Sequence, residues 1–121
     1  MKAMKISAVI MLYNEEEVID EFSERLLKSL RALPLDYEVI FVVEGTDMTL
    51  EKVKNLSNAD PRIKIDYNEE RLGLGKAMKK GLRLVDPGSN YVLTIDSDLN
   101  HDPEEIIRLL EASKEADVVV G

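Results

Sequence analysis

Apolar residues fall along the chain in two alternating rhythms. Ile6 to Leu12, Tyr37 to Val43 and Tyr91 to Ile95 are short, nearly continuous apolar runs, the pattern of strands buried on both faces. Between the first two, Ile19, Phe22, Leu26, Leu30 and Leu33 recur at helical spacing, and Pro34 marks the end of that helix. Asn14 is the expected N-cap, with Glu15, Glu16 and Glu17 at the helix's positive end. After the second run a short helix, capped by Asp47 or Thr49, should bury Leu50, Val53 and Leu56. Arg62 to Tyr67 alternates and predicts a third, edge strand. Leu74, Ala77, Met78, Gly81, Leu82 and Val85 form one helical stripe, and the Asp86-Pro87-Gly88-Ser89 turn leads to the strand at Tyr91. Asp102-Pro103-Glu104-Glu105 opens another helix, with Pro at its first position and a Glu at the capping-box position. That helix should bury Ile106, Ile107 and Leu110, and Asp117 to Val120 opens a last strand.

Strands and helices that alternate throughout call for an α/β fold: three layers, αβα, Rossmann-like, around a mostly parallel sheet of about five strands. The whole of residues 1–121 reads as one domain, because no linker, repeat or low-complexity segment interrupts it. An apolar strand left unpaired at Val118 to Val120 would be a template for self-association into a homo-oligomer.

Charge narrows the choice of ligand. With 24 acidic and 16 basic residues the formal net charge is −8, which argues against nucleic acid as a partner. An anionic ligand must then be met by a metal, by backbone N–H groups or by a few placed cations. Cysteine is absent, so disulfides and thiolate metal sites are excluded. The N-terminal apolar run is too short to span a membrane and has no cleavage signal, so this chain has no transmembrane segment and a cytoplasmic location is expected.

In sheets of this kind ligands bind beyond the carboxyl ends of the strands, where strand order reverses. Three polar loops leave those ends: Tyr13 to Glu15, Glu44 to Asp47 and Asp96 to Asp102. Asp96 and Asp98 are one residue apart at a strand end, so extended geometry would point both carboxylates the same way. Two such groups need a cation between them or a shared proton. With Asn100 they offer hard oxygen ligands suited to Mg²⁺ or Mn²⁺, which would stabilise charge on a departing phosphate. A calcium loop of EF-hand type is excluded by His101 and Ile107 where Gly and Glu are required. The plainer alternative has Asp98, Asn100 and Asp102 making turns and a helix cap. Glu44 could accept hydrogen bonds from a nucleobase, or be a solvated loop carboxylate. Gly73 and Gly75 stand too far from any third glycine for a dinucleotide fingerprint, and instead let the backbone turn closely into a helix beneath a ribose or phosphate. Arg71 and Lys76 are the nearest cations for a diphosphate, unless they are simply surface charges. The sole histidine, His101, is assigned a structural role.

The segments SAVIMLYNEE, VIFVVEGTDMT, RLGLGKAMKKGL, YVLTIDSDLNHDPEEI and ADVVVG together resemble the nucleotide-sugar-binding half of family 2 glycosyltransferases of GT-A fold. The last three look most like the dolichol-phosphate mannosyltransferase and polyprenyl-phosphate glycosyltransferase branch. The resemblance implies an inverting transfer of a sugar, mannose or glucose, from a GDP- or UDP-sugar to a polyprenyl or dolichyl phosphate, at the cytoplasmic face of a membrane. Residue by residue, it implies that Tyr13 and Glu15 line the nucleotide pocket with Met11 contributing backbone, and that Glu44 binds the base. Asp96, Ser97 and Asp98 would hold ribose, diphosphate and metal, with Asn100 beside the metal and Asp96 and Asp98 as the catalytic pair. The chain departs from the family in having Met11 for the usual Pro and Glu44-Gly45-Thr46 for the usual Asp-Asp-Gly-Ser. The acceptor-binding half is expected beyond Gly121. The alternative is a non-catalytic donor-binding module that needs a partner for transfer. A phosphoacceptor domain would want paired acids after the first strand, and a sugar nucleotidyltransferase a Gly-rich basic loop; Tyr13-Asn14-Glu15 is neither.

Overall fold

The computed structural model describes residues 4–95, and within them strands and helices alternate as the periodicity predicts. The order is β1 (Lys5–Tyr13), α1 (Ile19–Arg31), β2 (Asp36–Glu44), α2 (Thr49–Ala59), β3 (Ile63–Asn68), α3 (Leu74–Leu84) and β4 (Tyr91–Thr94). The four strands form one sheet, ordered β3-β2-β1-β4, in which every pairing is parallel. This is one strand fewer than expected, because the strand at Asp117 to Val120 lies outside the described residues, as does the helix opening at Asp102.

Alternation along the two central strands sorts the core into two layers. Ile6, Ala8, Ile10 and Leu12 of β1 and Val39, Phe41 and Val43 of β2 meet Ile19, Phe22, Leu26 and Leu30 of α1 and Val53 of α2. On the opposite face Val9, Ile40 and Val42 meet Ala77 of α3, with Met11, Leu84 and Val85 packed around them. The helices therefore divide between the faces as right-handed crossovers require. The chain steps from β1 to β2 to β3 in one direction, then α3 carries it back past β1 to β4. That reversal lies between β1 and β4.

Local details differ from the periodic reading in three places. Asn14 does not cap α1: the helix starts five residues later at Ile19, its N-cap position is Val18, and Asn14 has φ +49°. Its side chain is engaged elsewhere, as described below. The apolar stripe of α3 is wider than the face it buries; Ala77 and Gly81 are buried, whereas Leu74 is 66% and Leu82 44% exposed. Gly81 is what lets this helix approach the sheet. A Cβ there would stand 2.5 Å from Val9 Cγ1 and 2.9 Å from Val42 Cγ2, both on buried β-branched side chains. Third, polar residues not singled out by pattern secure the amino edge of the sheet. Glu38 is buried within β2, opposite Ser7 in register. Its carboxylate accepts from Ser7 Oγ at 2.6 Å and the Asp86 N–H at 2.7 Å, and it pairs with Lys64 Nζ at 2.8 Å. Burial pushes the Glu38 pKa up, but the Asp86 N–H, Lys64 and Ser7 outweigh it and hold the carboxyl below its ordinary range. Asp60 is a second such anchor, accepting from Tyr37 Oη at 2.7 Å, the Arg62 N–H at 3.0 Å and Arg31 at 3.3 Å. Burial again opposes its ionisation and the Arg62 N–H, Tyr37 and Arg31 prevail, so its pKa is also lowered.

Gly81→Ala should destabilise the fold by about 1–2 kcal/mol, because overpacking against stiff valines exceeds the helix-propensity gain of about 1 kcal/mol. Thermal melting checks this; an unchanged or higher Tm would mean that α3 can lift off the sheet freely. The depressed pKa values of Glu38 and Asp60 stabilise the fold fully above the unfolded carboxylate range, about pH 4, and this stabilisation is lost as pH falls through the lower folded values. Urea midpoints should therefore drop from about pH 5 to about pH 3. Glu38→Gln should flatten that drop while lowering the midpoint at neutral pH.

Candidate functional site

Parallel pairing brings every strand's carboxyl end to one edge, and the register aligns the residues there. Tyr13, the last residue of β1, is opposite Glu44, the last of β2, and Glu44 is opposite Asn68, the last of β3. By alternation these three share the α3 face with Met11 and Val42. β4 pairs with β1 only from Ile6 to Val9, and the Ile95 N–H donates to Val9 O at 3.3 Å. Beyond this point β1 continues to Tyr13 with no described neighbour on its β4 side. The point of reversal thus has Tyr13 on its rim, and Ile95 is the last described residue beside it.

The loops after β1 and β2 are stitched together. Asn14 Oδ1 accepts the Thr46 N–H at 3.2 Å, and the Asn14 side chain lies against the backbone of Gly45, whose φ is +104°. A Cβ on Gly45 would fall 2.2 Å from Asn14 Oδ1. Asp47 extends the seam, accepting the Glu16 N–H at 3.2 Å and the Thr49 N–H at 3.0 Å, the latter at the start of α2. Burial raises the Asp47 pKa, but the Thr49 hydroxyl and N–H, the Glu16 N–H and Lys52 override it and keep the group below its ordinary range. The Glu15 N–H donates to Thr49 Oγ1 at 2.9 Å, so Glu15 is held against α2 through its backbone. The shallow depression lined by Asn14, Glu15, Glu16, Glu17 and Asp47 is strongly acidic and unsuited to a diphosphate.

Cations and ring surfaces meet on the other side, where residues 69–73 lead from β3 into α3. The Gly45 N–H donates to Asn68 O and Glu69 O, and Tyr67 Oη donates to Gly45 O at 2.8 Å. Glu44, only 5% exposed, accepts the Leu72 N–H through Oε2. The neighbouring Arg71 guanidinium lies 4.5 Å from the centroid of the Tyr13 ring, which is 40% exposed. Gly73 begins α3 with φ +90°, a conformation that a side chain rarely adopts, and a Cβ on Gly73 or Gly75 would have no atom within 4 Å. These glycines therefore border open space rather than a packed neighbour.

Of the residues expected to act on a ligand, the structure brings Tyr13, Glu44, Arg71 and Gly73 to one corner of the carboxyl edge. Met11 lies one turn of the pleat below Tyr13, half-buried, with its backbone in the β1–β2 ladder. Lys76 is exposed on the first turn of α3. Asp96, Ser97, Asp98 and Asn100 lie outside the described residues. Among the described residues no three His, Cys, Asp or Glu side chains gather as a metal site. The sequence reading named Asn14 and Asp47 as helix caps but not as the residues that join the two loops, and it passed over Tyr67 and the Leu72 N–H. An Asn before a run of glutamates signals a helix cap, and a backbone N–H leaves no mark on residue identity.

Comparison with known proteins places this geometry. Residues 7–121 match the family model described as glycosyl transferase family 2. The chain is 36% identical over 123 aligned residues to undecaprenyl-phosphate 4-deoxy-4-formamido-L-arabinose transferase of Proteus mirabilis, covering 99% of this chain and 37% of that protein. It is 33% identical to dolichol-phosphate mannosyltransferase of Pyrococcus furiosus, covering 98% of this chain and 33% of that one. The chain thus spans about a third of the length of these curated relatives. Among solved structures, S. aureus TarS 1–349 in complex with UDP-GlcNAc superimposes with TM-score 0.70 at 27% identity, over 94% of this chain and 32% of TarS. The mannosyltransferase PcManGT of Pyrobaculum calidifontis, in complex with GDP-Man and Mn²⁺, shares the fold, with TM-score 0.66 at 22% identity over 80% of this chain and 28% of that one.

Gly45→Ala should destabilise the protein by about 1–3 kcal/mol, since it combines a disfavoured φ with a collision at Asn14. A melting temperature within error of wild type would mean that the seam between the two loops rearranges at no cost.

Proposed function

The chain belongs to glycosyltransferase family 2, and on that premise we propose that it is the donor-binding part of an enzyme that moves a sugar from a nucleoside-diphosphate sugar to a polyprenyl or dolichyl phosphate. The observation that carries this reading is the corner formed by Tyr13, Arg71 and Glu44 at the carboxyl edge of the sheet, with Tyr13 bordering the point where strand order reverses. A nucleotide needs a flat apolar surface for its base and positive charge for its phosphates. Tyr13 and Arg71 offer both within 4.5 Å of each other, on a chain whose net charge is otherwise −8. The backbone of Met11 would line the pocket below Tyr13, whereas Glu15, held against α2 beside the acidic depression, would reach a nucleotide only from the opposite side of Tyr13. Gly73, Gly75 and Lys76 stand where the ribose and phosphates would pass the start of α3.

The relatives named for undecaprenyl phosphate and dolichol phosphate support a lipid-linked phosphate as acceptor, and hence action at the cytoplasmic face of a membrane. No helix among the described residues is long and apolar enough to cross a membrane. An acceptor phosphate is already anionic at neutral pH. Its oxygen attacks the anomeric carbon as the bond from that carbon to the diphosphate breaks, so configuration inverts and no strong general base is required. Asp96, Asp98 and Asn100 would hold a Mg²⁺ or Mn²⁺ ion, with Ser97 beside the diphosphate. Their donor set is all hard oxygen, the kind that both ions prefer. When bound, the ion supplies Lewis-acid stabilisation of the departing nucleoside diphosphate. The Mn²⁺ and GDP-Man complex of PcManGT supports a divalent ion at this kind of fold.

Calorimetric titration with GDP-mannose, UDP-glucose and the free diphosphates, with and without Mn²⁺, tests the proposal. Binding of at least one donor is expected, strengthened about tenfold or more by Mn²⁺. Asp98→Ala should abolish that metal-dependent gain. No binding of any of the four would end the donor-site reading.

A further inference from the structure

From the Glu44–Leu72 contact we infer that Glu44 is a positioning residue, which sets the Arg71–Tyr13 clamp of the donor site rather than reading the base itself. The inference rests on the proposed donor site and gives one of its residues a different job. Glu44 is almost wholly buried, and Oε2 already accepts the N–H of Leu72. A carboxylate in that state has little surface left for a ligand. What it holds is the backbone one residue after Arg71, in the connection between Asn68 and α3.

Two further ties restrict the same connection. Its start is fixed by the Gly45 N–H, which bonds Asn68 O and Glu69 O, and by Asn68 Nδ2, which donates to Glu70 O at 2.7 Å. Its end is fixed by Gly73 O, which accepts the Ala77 N–H at 3.1 Å in the first turn of α3. Between these points Glu44 ties the backbone of residue 72 to the sheet, and it does so directly opposite Tyr13 in register. Arg71 is exposed, and nothing else described fixes its backbone over the Tyr13 ring. Because the anchor is a charge-assisted bond to a peptide N–H, it is strong and indifferent to the identity of residue 72. The clamp it sets, a cation above an aromatic face, accepts any base, since every base has a π-face. Glu44 should therefore govern how tightly a nucleotide binds and not which nucleotide.

Glu44→Ala and Glu44→Gln, alone and combined with Arg71→Ala, separate positioning from recognition. Gln keeps a carbonyl oxygen for the Leu72 N–H but replaces the second acceptor with a donor. In the ligand-free protein, hydrogen exchange at the Leu72 amide should be slow in wild type and Glu44→Gln and at least about tenfold faster in Glu44→Ala. Equal exchange in wild type and Glu44→Ala would overturn the inference whether or not any nucleotide binds. In titrations with GDP and UDP, Glu44→Ala should weaken both by the same factor, about three- to tenfold. Glu44→Gln should restore affinity, and Glu44→Ala should add nothing once Arg71 is Ala. A changed GDP-to-UDP ratio, or additive losses, would show direct base recognition and overturn it. Failure of wild type to bind either nucleotide would instead count against the donor site, leaving the exchange result to decide the latch.

Discussion

Central strand β1 is the constraint from which the rest follows. It is paired by β2 along its whole length and by β4 from Ile6 to Val9, and Ile6, Ser7, Ala8, Val9 and Ile10 are all buried, so its middle cannot be solvated. Two parallel neighbours on opposite sides cannot both be reached by stepping in one direction. One crossover must return, and with right-handed crossovers the returning helix is forced onto the other face. That is why, among the described helices, α1 and α2 share one layer and α3 lies on the second. The reversal also leaves a crevice at the carboxyl end of β1, since the chain departs from β1 on one side and arrives beside it on the other. The position of the site is thus a consequence of topology before any side chain is considered.

Packing and chemistry meet in α3. Gly81 brings the helix close enough to touch Val9 and Val42, and the start of the helix then falls beside Tyr13 and Glu44. A helix held farther from the sheet would lift residues 69–73 with it, and Arg71 would lose the Tyr13 face. The amino edge is secured separately by Glu38 and Asp60, two buried carboxylates whose hydrogen bonds outweigh the penalty of burial. Rigid anchors at one edge leave the loops of the other edge free to carry polar residues without loss of the core.

The element order, the layering of the core and the family were all legible in the sequence, because each rests on local repetition. Continuous apolar runs such as Ile6 to Leu12 mark strands buried on two faces, and the Ile19-Phe22-Leu26-Leu30 spacing marks a helix. Ordered motifs along the chain carried the resemblance to family 2 glycosyltransferases that the family model bears out. The Asp96-Ser97-Asp98-Leu99-Asn100 pattern, proposed as the metal site, was equally visible, although Asp96, Ser97, Asp98 and Asn100 fall outside the described residues.

Tertiary structure alone decided which loop residues meet. Asn14 has the identity and place of a helix cap, yet strand pairing puts it within reach of Thr46 and it stitches two loops instead. Glu44 has the look of a solvated carboxylate or a base ligand, yet register buries it against the Leu72 N–H. Arg71 finds Tyr13 because β1 and β3 flank β2 and the turn into α3 folds back over both. The physical reason is the same in each case. Periodicity is written in neighbouring side chains, whereas these contacts depend on strand order, register and backbone donors, which residue identity does not encode.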